Sequence, residues 1–139
     1  MNPITLEFTI SGNQEDPKGN PIGYHRTTQG SYWNEGSRRY KSWKDYVVKA
    51  YAGKYADMIT AARNWDGKPI SLEKNQKAYL HTYSYFANNA RPDPDNVQKG
   101  IADALFVNDK NVSGSYDFEI SKEKIGKVMV RIVIVQLAV

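Results

Sequence analysis

An α+β domain, with two main helices packed on a mixed β-sheet, is the fold class that this 139-residue sequence predicts. Three observations carry it. Segments that alternate apolar and polar residues are interleaved with two segments of helical spacing. The last segment, "KVMVRIVIVQLAV", is apolar enough to run through the centre of a sheet. No repeat, low-complexity stretch or linker divides the chain, whose length suits a single core, so residues 1–139 are read as one domain.

The elements follow in order. Residues 3–10, "PITLEFTI", alternate like a half-buried strand. From Ser11 to about Arg39 the chain is rich in Gly, Pro, Asn and Gln, which predicts a long irregular loop of a length that compact domains keep for function. Ser42, with Asp45 three positions on, then predicts an N-cap. Tyr46, Val47, Ala50, Tyr51 and Met58 at broadly helical spacing extend the helix over residues 42–64, with Gly53 as its weak point. "DGKP" is a turn, "KAYLHTYSYF" a tyrosine-rich strand, and "SYDFEISKE" and "KVMVRIVIVQLAV" two strands joined by a tight turn around Gly126.

Between the third and fourth of these elements lies "RPDPDNVQKGIADALFVND", residues 91–109. Asp93 suits an N-cap and Pro94 the first helical position, where a missing N–H costs nothing. Val97, Gly100, Ile101, Ala104 and Leu105 form the buried stripe of the short helix that follows. Asp95 and Lys99 are spaced i, i+4, and Asp103 continues their row. Two readings are open for these charges. Acidic residues in a first turn complement the helix dipole, and an Asp–Lys pair is ordinary surface design worth about 0.2–0.5 kcal/mol. The other reading is a metal site, which Asp109, just after the helix, would complete if the fold returns it toward the helix start. A calcium loop is a weaker alternative: Asp109, Asn111, Ser113 and Gly114 match the first half of an EF-hand, but Ile120 stands where the closing glutamate belongs.

Composition narrows the function classes. There is no cysteine, which excludes disulfides, thiol nucleophiles and cysteine zinc sites. A net charge of +4 fits nucleic acid among other partners. No basic start with a long apolar run and no stretch near 18 apolar residues is present, so the expectation is a cytoplasmic protein without a membrane span. Arg26, Arg38, Arg39, Lys41 and Lys44 are interleaved with Tyr24, Tyr32, Trp33, Tyr40 and Trp43, a pattern that suits DNA phosphates and exposed bases, although each aromatic taken singly is better placed in a core. His25 is a candidate DNA contact and His81 a strand residue; the two have no metal-ligand spacing.

"RPDPDNVQKGIADALFVNDKNV" resembles the core of the RusA-type Holliday junction resolvases. Their signature is D-x-D-N, a lysine three after the asparagine, "DAL" on the same helix and an aspartate soon after it. The chain departs in having Asn108-Asp109 where the family often has two adjacent acids, and in the shortness of the segment before them. The resemblance implies a RusA-like fold and a homodimeric, Mg²⁺-dependent endodeoxyribonuclease that resolves four-way junctions by paired symmetric nicks, in DNA recombination and repair. Mn²⁺ is a substitute cofactor, and a bacterial, phage or prophage setting is implied. Asp93, Asp95 and Asp109 would hold the metal, Lys99 would serve cleavage, and Asn96 and Asp103 would support them. The tyrosine-rich strand or the last strand would supply the dimer interface. The alternatives are a nuclease preferring flaps or forks and a non-catalytic binder of branched DNA.

Overall fold

The computed structural model describes residues 3–26, 34–55 and 67–137. It is a single α+β domain, a four-stranded mixed sheet with two helices packed on one face. The elements are β1 (Ile4–Ser11), α1 (Glu35–Tyr55), β2 (Gln76–Phe86), α2 (Pro94–Leu105), a 3-10 turn (Asp109–Asn111), β3 (Val112–Ile120) and β4 (Lys127–Gln136). Strand order is β1-β4-β2-β3. β4 is antiparallel to both β1 and β2, while β2 and β3 are parallel and α2 is the crossover between them. The apolar last strand is therefore central, as its composition predicts.

Alternation decides the faces. Leu6, Phe8 and Ile10 of β1, Ala78, Leu80 and Phe86 of β2, and Val128, Val130 and Ile132 of β4 point toward the helices and are buried. α2 lays Val97, Gly100, Ile101, Ala104 and Leu105 on them, the stripe read from the sequence, with Ala102 buried as well. At Gly100 the missing side chain matters: a Cβ would lie 3.3 Å from the Tyr40 ring and 3.4 Å from the Tyr24 nitrogen, so two neighbours approach the helix closely there. Gly12, at φ +56°, ends β1 in a turn where a side chain would also collide with the Asp16 carbonyl.

Three boundaries differ from expectation. α1 begins at Glu35 and not at Ser42, because Asn34 is its cap: the Asn34 side-chain oxygen accepts from Ser37 N–H at 2.8 Å. The buried stripe accordingly begins with Ser37 and Tyr40, ahead of Ser42, and continues through Trp43, Val47 and Tyr51. Arg38 and Arg39, which the sequence places at the end of the loop, thus lie in the first turns of a helix. β3 starts at Val112, before the expected Ser115, since Val112 already pairs with Ala78. Tyr32, Trp33, Met58 and the helix expectation beyond residue 55 lie outside the described residues. Among the described residues no helix is long and apolar enough to cross a membrane.

The two caps give a direct test by urea unfolding. Asn34→Ala is expected to lower stability by about 0.5–2 kcal/mol. Ser42→Ala, on an exposed interior turn, is expected to change it by less than about 0.5 kcal/mol.

Candidate functional site

Proline on both sides fixes Asp93 at the N-cap of α2, with φ −65° and ψ 139°. Its backbone carbonyl takes the first-turn donors, Asn96 N–H at 3.0 Å and Val97 N–H at 3.2 Å. With those donors satisfied by main chain, the Asp93 side chain makes no capping bond. Its carboxylate is exposed and is not spent on the helix, in contrast to the capping role that the sequence allows. Asp95 follows in the first turn, and its carboxylate lies 3.8 Å from the Lys99 ammonium.

A second segment closes over this turn. Tyr24 N–H donates to the Asn96 carbonyl at 2.9 Å, which ties residues 20–26 to the start of α2. The result is an open cleft of about 460 Å³ whose lining includes Asp93, Asn96, Tyr24, His25, Arg39 and Arg91. Arg91 lies over two rings, 5.0 Å from the centre of Phe86 and 4.6 Å from that of Phe118. Arg39 is held by Glu15 at 2.6 Å. His25 packs on Gly36 at the start of α1, and its buried Nε2 has no partner among the described residues. The sequence alone does not single out Arg91, although it stands just ahead of the D-x-D motif.

Asp103 has a different role from the one its row suggests. Successive i, i+4 positions drift by about 40° around a helix, so Asp103 is turned well away from Asp95 and toward α1. Its carboxylate accepts from the Tyr40 hydroxyl at 2.7 Å and lies 3.3 Å from Lys44 and 3.2 Å from Lys68. Burial pushes the Asp103 pKa up, but the Tyr40 hydrogen bond and the two ammonium groups more than offset it, and the carboxyl sits below its usual range. Burial and then the Asp103 carboxylate push the Tyr40 phenol above its ordinary value.

Asp109 is at the other end of α2. It opens the 3-10 turn that leads into β3, with Asn108 capping that turn through Lys110 N–H at 3.0 Å. Since α2 is the crossover between parallel strands, its start lies by the end of β2 and Asp109 by the beginning of β3. Twelve helical residues, about 18 Å, span the interval. Among the described residues no three Asp, Glu or His side chains are grouped so as to hold a metal ion. The fold therefore brings Asp93, Asp95 and Lys99 into one turn and a half but does not return Asp109 to them. The calcium-loop alternative fails on the same segment, because Val112–Ile120 is a strand.

The basic and aromatic candidates also separate. Arg26 and Arg38 are exposed, as is Lys41, whereas Lys44 is engaged by Asp103 and lies 4.9 Å from the Tyr40 ring centre. Trp43 and Tyr40 are core residues, at 0% and 2% exposure, so neither is placed to stack on a base. Tyr24, at 42%, packs edge-on against Tyr40 and keeps an open side. His81 is a strand residue as expected, its Nδ1 2.7 Å from the Ser115 hydroxyl.

The Asp103–Tyr40 pair predicts how stability varies with pH. A carboxylate lowered from about 3.9 stabilises the fold above that value, and this is lost as pH falls below ~4. A phenol raised from about 10 stabilises below that value, and this is lost as pH rises past ~10. Urea midpoints are expected to fall at both extremes, with Asp103→Asn flattening the acid limb and Tyr40→Phe the alkaline one. Asp103→Ala should cost about 1–3 kcal/mol at neutral pH, since it strands a buried hydroxyl.

The chain matches no protein-family model and no curated protein sequence.

Proposed function

We propose that the protein is a Mg²⁺-dependent, structure-selective endodeoxyribonuclease that hydrolyses phosphodiesters at four-way DNA junctions. The observation that carries this reading is the Asp93 carboxylate: exposed, without a capping hydrogen bond, two residues from Asp95, which lies one turn from Lys99, and on the wall of a cleft shared with Arg39 and Arg91. A pure surface design would spend that carboxylate on the cap.

The donor set suits the cation. Mg²⁺ takes oxygen ligands and commonly makes do with one or two carboxylates, completing its shell from water and substrate phosphate. Asp93 and Asp95 are the residues that would hold it; Asp109, at the far end of α2, is not part of that set. A divalent cation so held polarises a phosphoryl oxygen and offsets negative charge in the transition state. Lys99 adds a cation beside the reacting phosphate, and Arg91 and Arg39 can bind flanking phosphates, each by a planar fork of donors. His25 lines the same cleft, and Arg26 and Arg38, both exposed, are its and Arg39's neighbours in the chain. Paired nicks on a two-fold junction require two such sites and so a homodimer.

A non-catalytic binder of branched DNA is the second reading, favoured by the separation of Asp109 from the other two acids. A flap- or fork-preferring nuclease shares the site and differs in substrate.

Cleavage assays separate the three. Wild type is expected to nick a synthetic four-way junction with Mg²⁺ but not with EDTA, and to leave a matching duplex and flap and fork substrates largely intact. Lys99→Ala should slow nicking by about 10²–10³-fold, and Asp93→Asn and Asp95→Asn should abolish it while junction binding persists. Binding without nicking under Mg²⁺ or Mn²⁺ would establish the binder instead. In binding titrations against salt, Arg26→Ala, Arg38→Ala and Arg91→Ala should each reduce the slope of log K on log[salt] by about 1.

A further inference from the structure

Both helices lie on one face of the sheet, and among the described residues no helix packs on the other. A sheet commonly turns polar side chains to such a face. Here β2 turns out Tyr79, Tyr83 and Tyr85, with His81 between them, because the residues that alternate with them are the buried ones. The pairing with β4 sets Val133 beside Tyr79 and Met129 beside Tyr83. Tyr79 is 46% and Met129 47% exposed. The rings of Tyr83 and Tyr85 lean on each other, 5.0 Å between centres, so they form one platform and Tyr79 a second. Beside the paired rings lies an open hollow of about 420 Å³, lined by His81, Met129 and Arg131 as well as by both tyrosines. A contiguous aromatic and apolar surface of this kind marks a contact made with another molecule.

The charges on this face are sorted by strand. Lys77 on β2 and Lys127 and Arg131 on β4 occupy the two central strands, whereas Glu7 on β1 and Asp117 and Glu119 on β3 occupy the outer ones. The Lys77 ammonium lies 4.9 Å from the centre of the Tyr79 ring, and the Lys127 ammonium 4.8 Å from that of Tyr85. Arg131 pairs with Glu7 at 3.4 Å, both of them exposed, and a phosphate can replace so weak a partner. We infer that the helix-free face binds single-stranded nucleic acid along the seam of β2 and β4. Bases stack on the two tyrosine platforms, and phosphates meet Lys77, Lys127 and Arg131.

The arrangement favours a single strand over a duplex. A base lies on an aromatic side chain only after it has left the duplex stack. A duplex would also spread its phosphates over Glu7, Asp117 and Glu119, where like charges repel, whereas a single strand keeps to the basic seam. Tyr79 and Tyr83 are about 14 Å apart along β2, the reach of a few nucleotides. Four-stranded sheets that read single-stranded RNA use the same device, two or three bases stacked on aromatic side chains of the open face. An acidic peptide would satisfy the cations but has no series of flat rings for the tyrosines. α2 and its Asp93 lie on the other face, so binding here needs neither the metal nor the junction proposed for that site.

Fluorescence anisotropy with labelled oligo-dT and oligo-U of about 12 nucleotides, in EDTA, tests the inference. Binding of either strand supports it, and the tighter of the two identifies the preferred sugar. Tyr79→Ala and Tyr83→Ala should each weaken binding by about 5- to 150-fold, while Tyr79→Phe, which keeps the ring, should stay within about twofold of wild type. Lys77→Ala, Lys127→Ala and Arg131→Ala should each reduce the slope of log K on log[salt] by about 0.7. Strands carrying 5-iododeoxyuridine should photo-cross-link to β2. The inference is overturned if neither strand binds at roughly 100 μM protein, if both alanine variants bind as wild type does, or if the cross-links fall on α1 and not on β2. Should an alanine variant fail to fold, the salt slopes and the cross-link positions decide. Failure to cut junctions bears on Asp93 alone and leaves this face untouched.

Discussion

The parallel pairing of β2 with β3 constrains everything that follows it in the chain. Two parallel neighbours cannot be joined by a hairpin, so the chain must travel back along the sheet before β3 can begin. α2 makes that return with its apolar stripe against β2 and β3. Its first turn is thereby delivered to the end of β2, where residues 20–26 and the arginine-bearing start of α1 also arrive, and a cleft forms among them. Its last turn is delivered to the opposite end. The neighbourhood of Asp93 and the isolation of Asp109 are two consequences of one topological fact.

A half-buried carboxylate fixes how the two helices sit on that sheet. Asp103 on α2 gathers Tyr40 and Lys44 from α1 and Lys68 from the segment that follows it. A charge so placed is tolerable only with its partners present, since removing any of them leaves a desolvated group unpaired. The set is selective for one relative position of α1 and α2. That position matters to the cleft, because Arg39 comes from α1 and Asp93 from α2. The aspartate that continues the row of Asp95 and Lys99 in the sequence thus supports the cleft through the packing of helices.

What the sequence reveals is what is locally determined. The stripe of α2, Pro94 at its first position, the alternation of β1 and β2, and the central place of the apolar last strand are all visible in residues that are neighbours in the chain. The start of α1 is not, because its first buried positions are Ser37, Tyr40 and Trp43, set in a basic, polar stretch that has the composition of a loop. Trp43 and Tyr40, each better placed in a core when taken singly, suit base stacking only as members of the basic and aromatic stretch, and both are buried. Arg91 gains its place from Phe86 and Phe118, two strands that meet only in the folded sheet. The position of Asp109 depends on whether the chain doubles back after α2, and the six residues between Leu105 and β3 do not say.

The electrostatics of the cleft bear on which reading of the site is physically economical. A phosphate about 6 Å from the Asp93 carboxylate meets a repulsion of roughly 0.7 kcal/mol at the dielectric of water and nearly 3 kcal/mol at the effective value near a protein surface. Asp95 adds to it, though Lys99 offsets part of that charge. Arg39 is already paired with Glu15, which leaves Arg91 as the clearest counterweight on the cleft wall. A module that only binds DNA would gain affinity by replacing Asp93 with a neutral residue, losing the carboxylate's interaction with the helix dipole but no capping hydrogen bond. A hydrolase gains from keeping it, because a divalent cation between carboxylate and phosphate converts the repulsion into a bridge. The uncapped Asp93 is therefore a cost to binding that metal-dependent chemistry would repay.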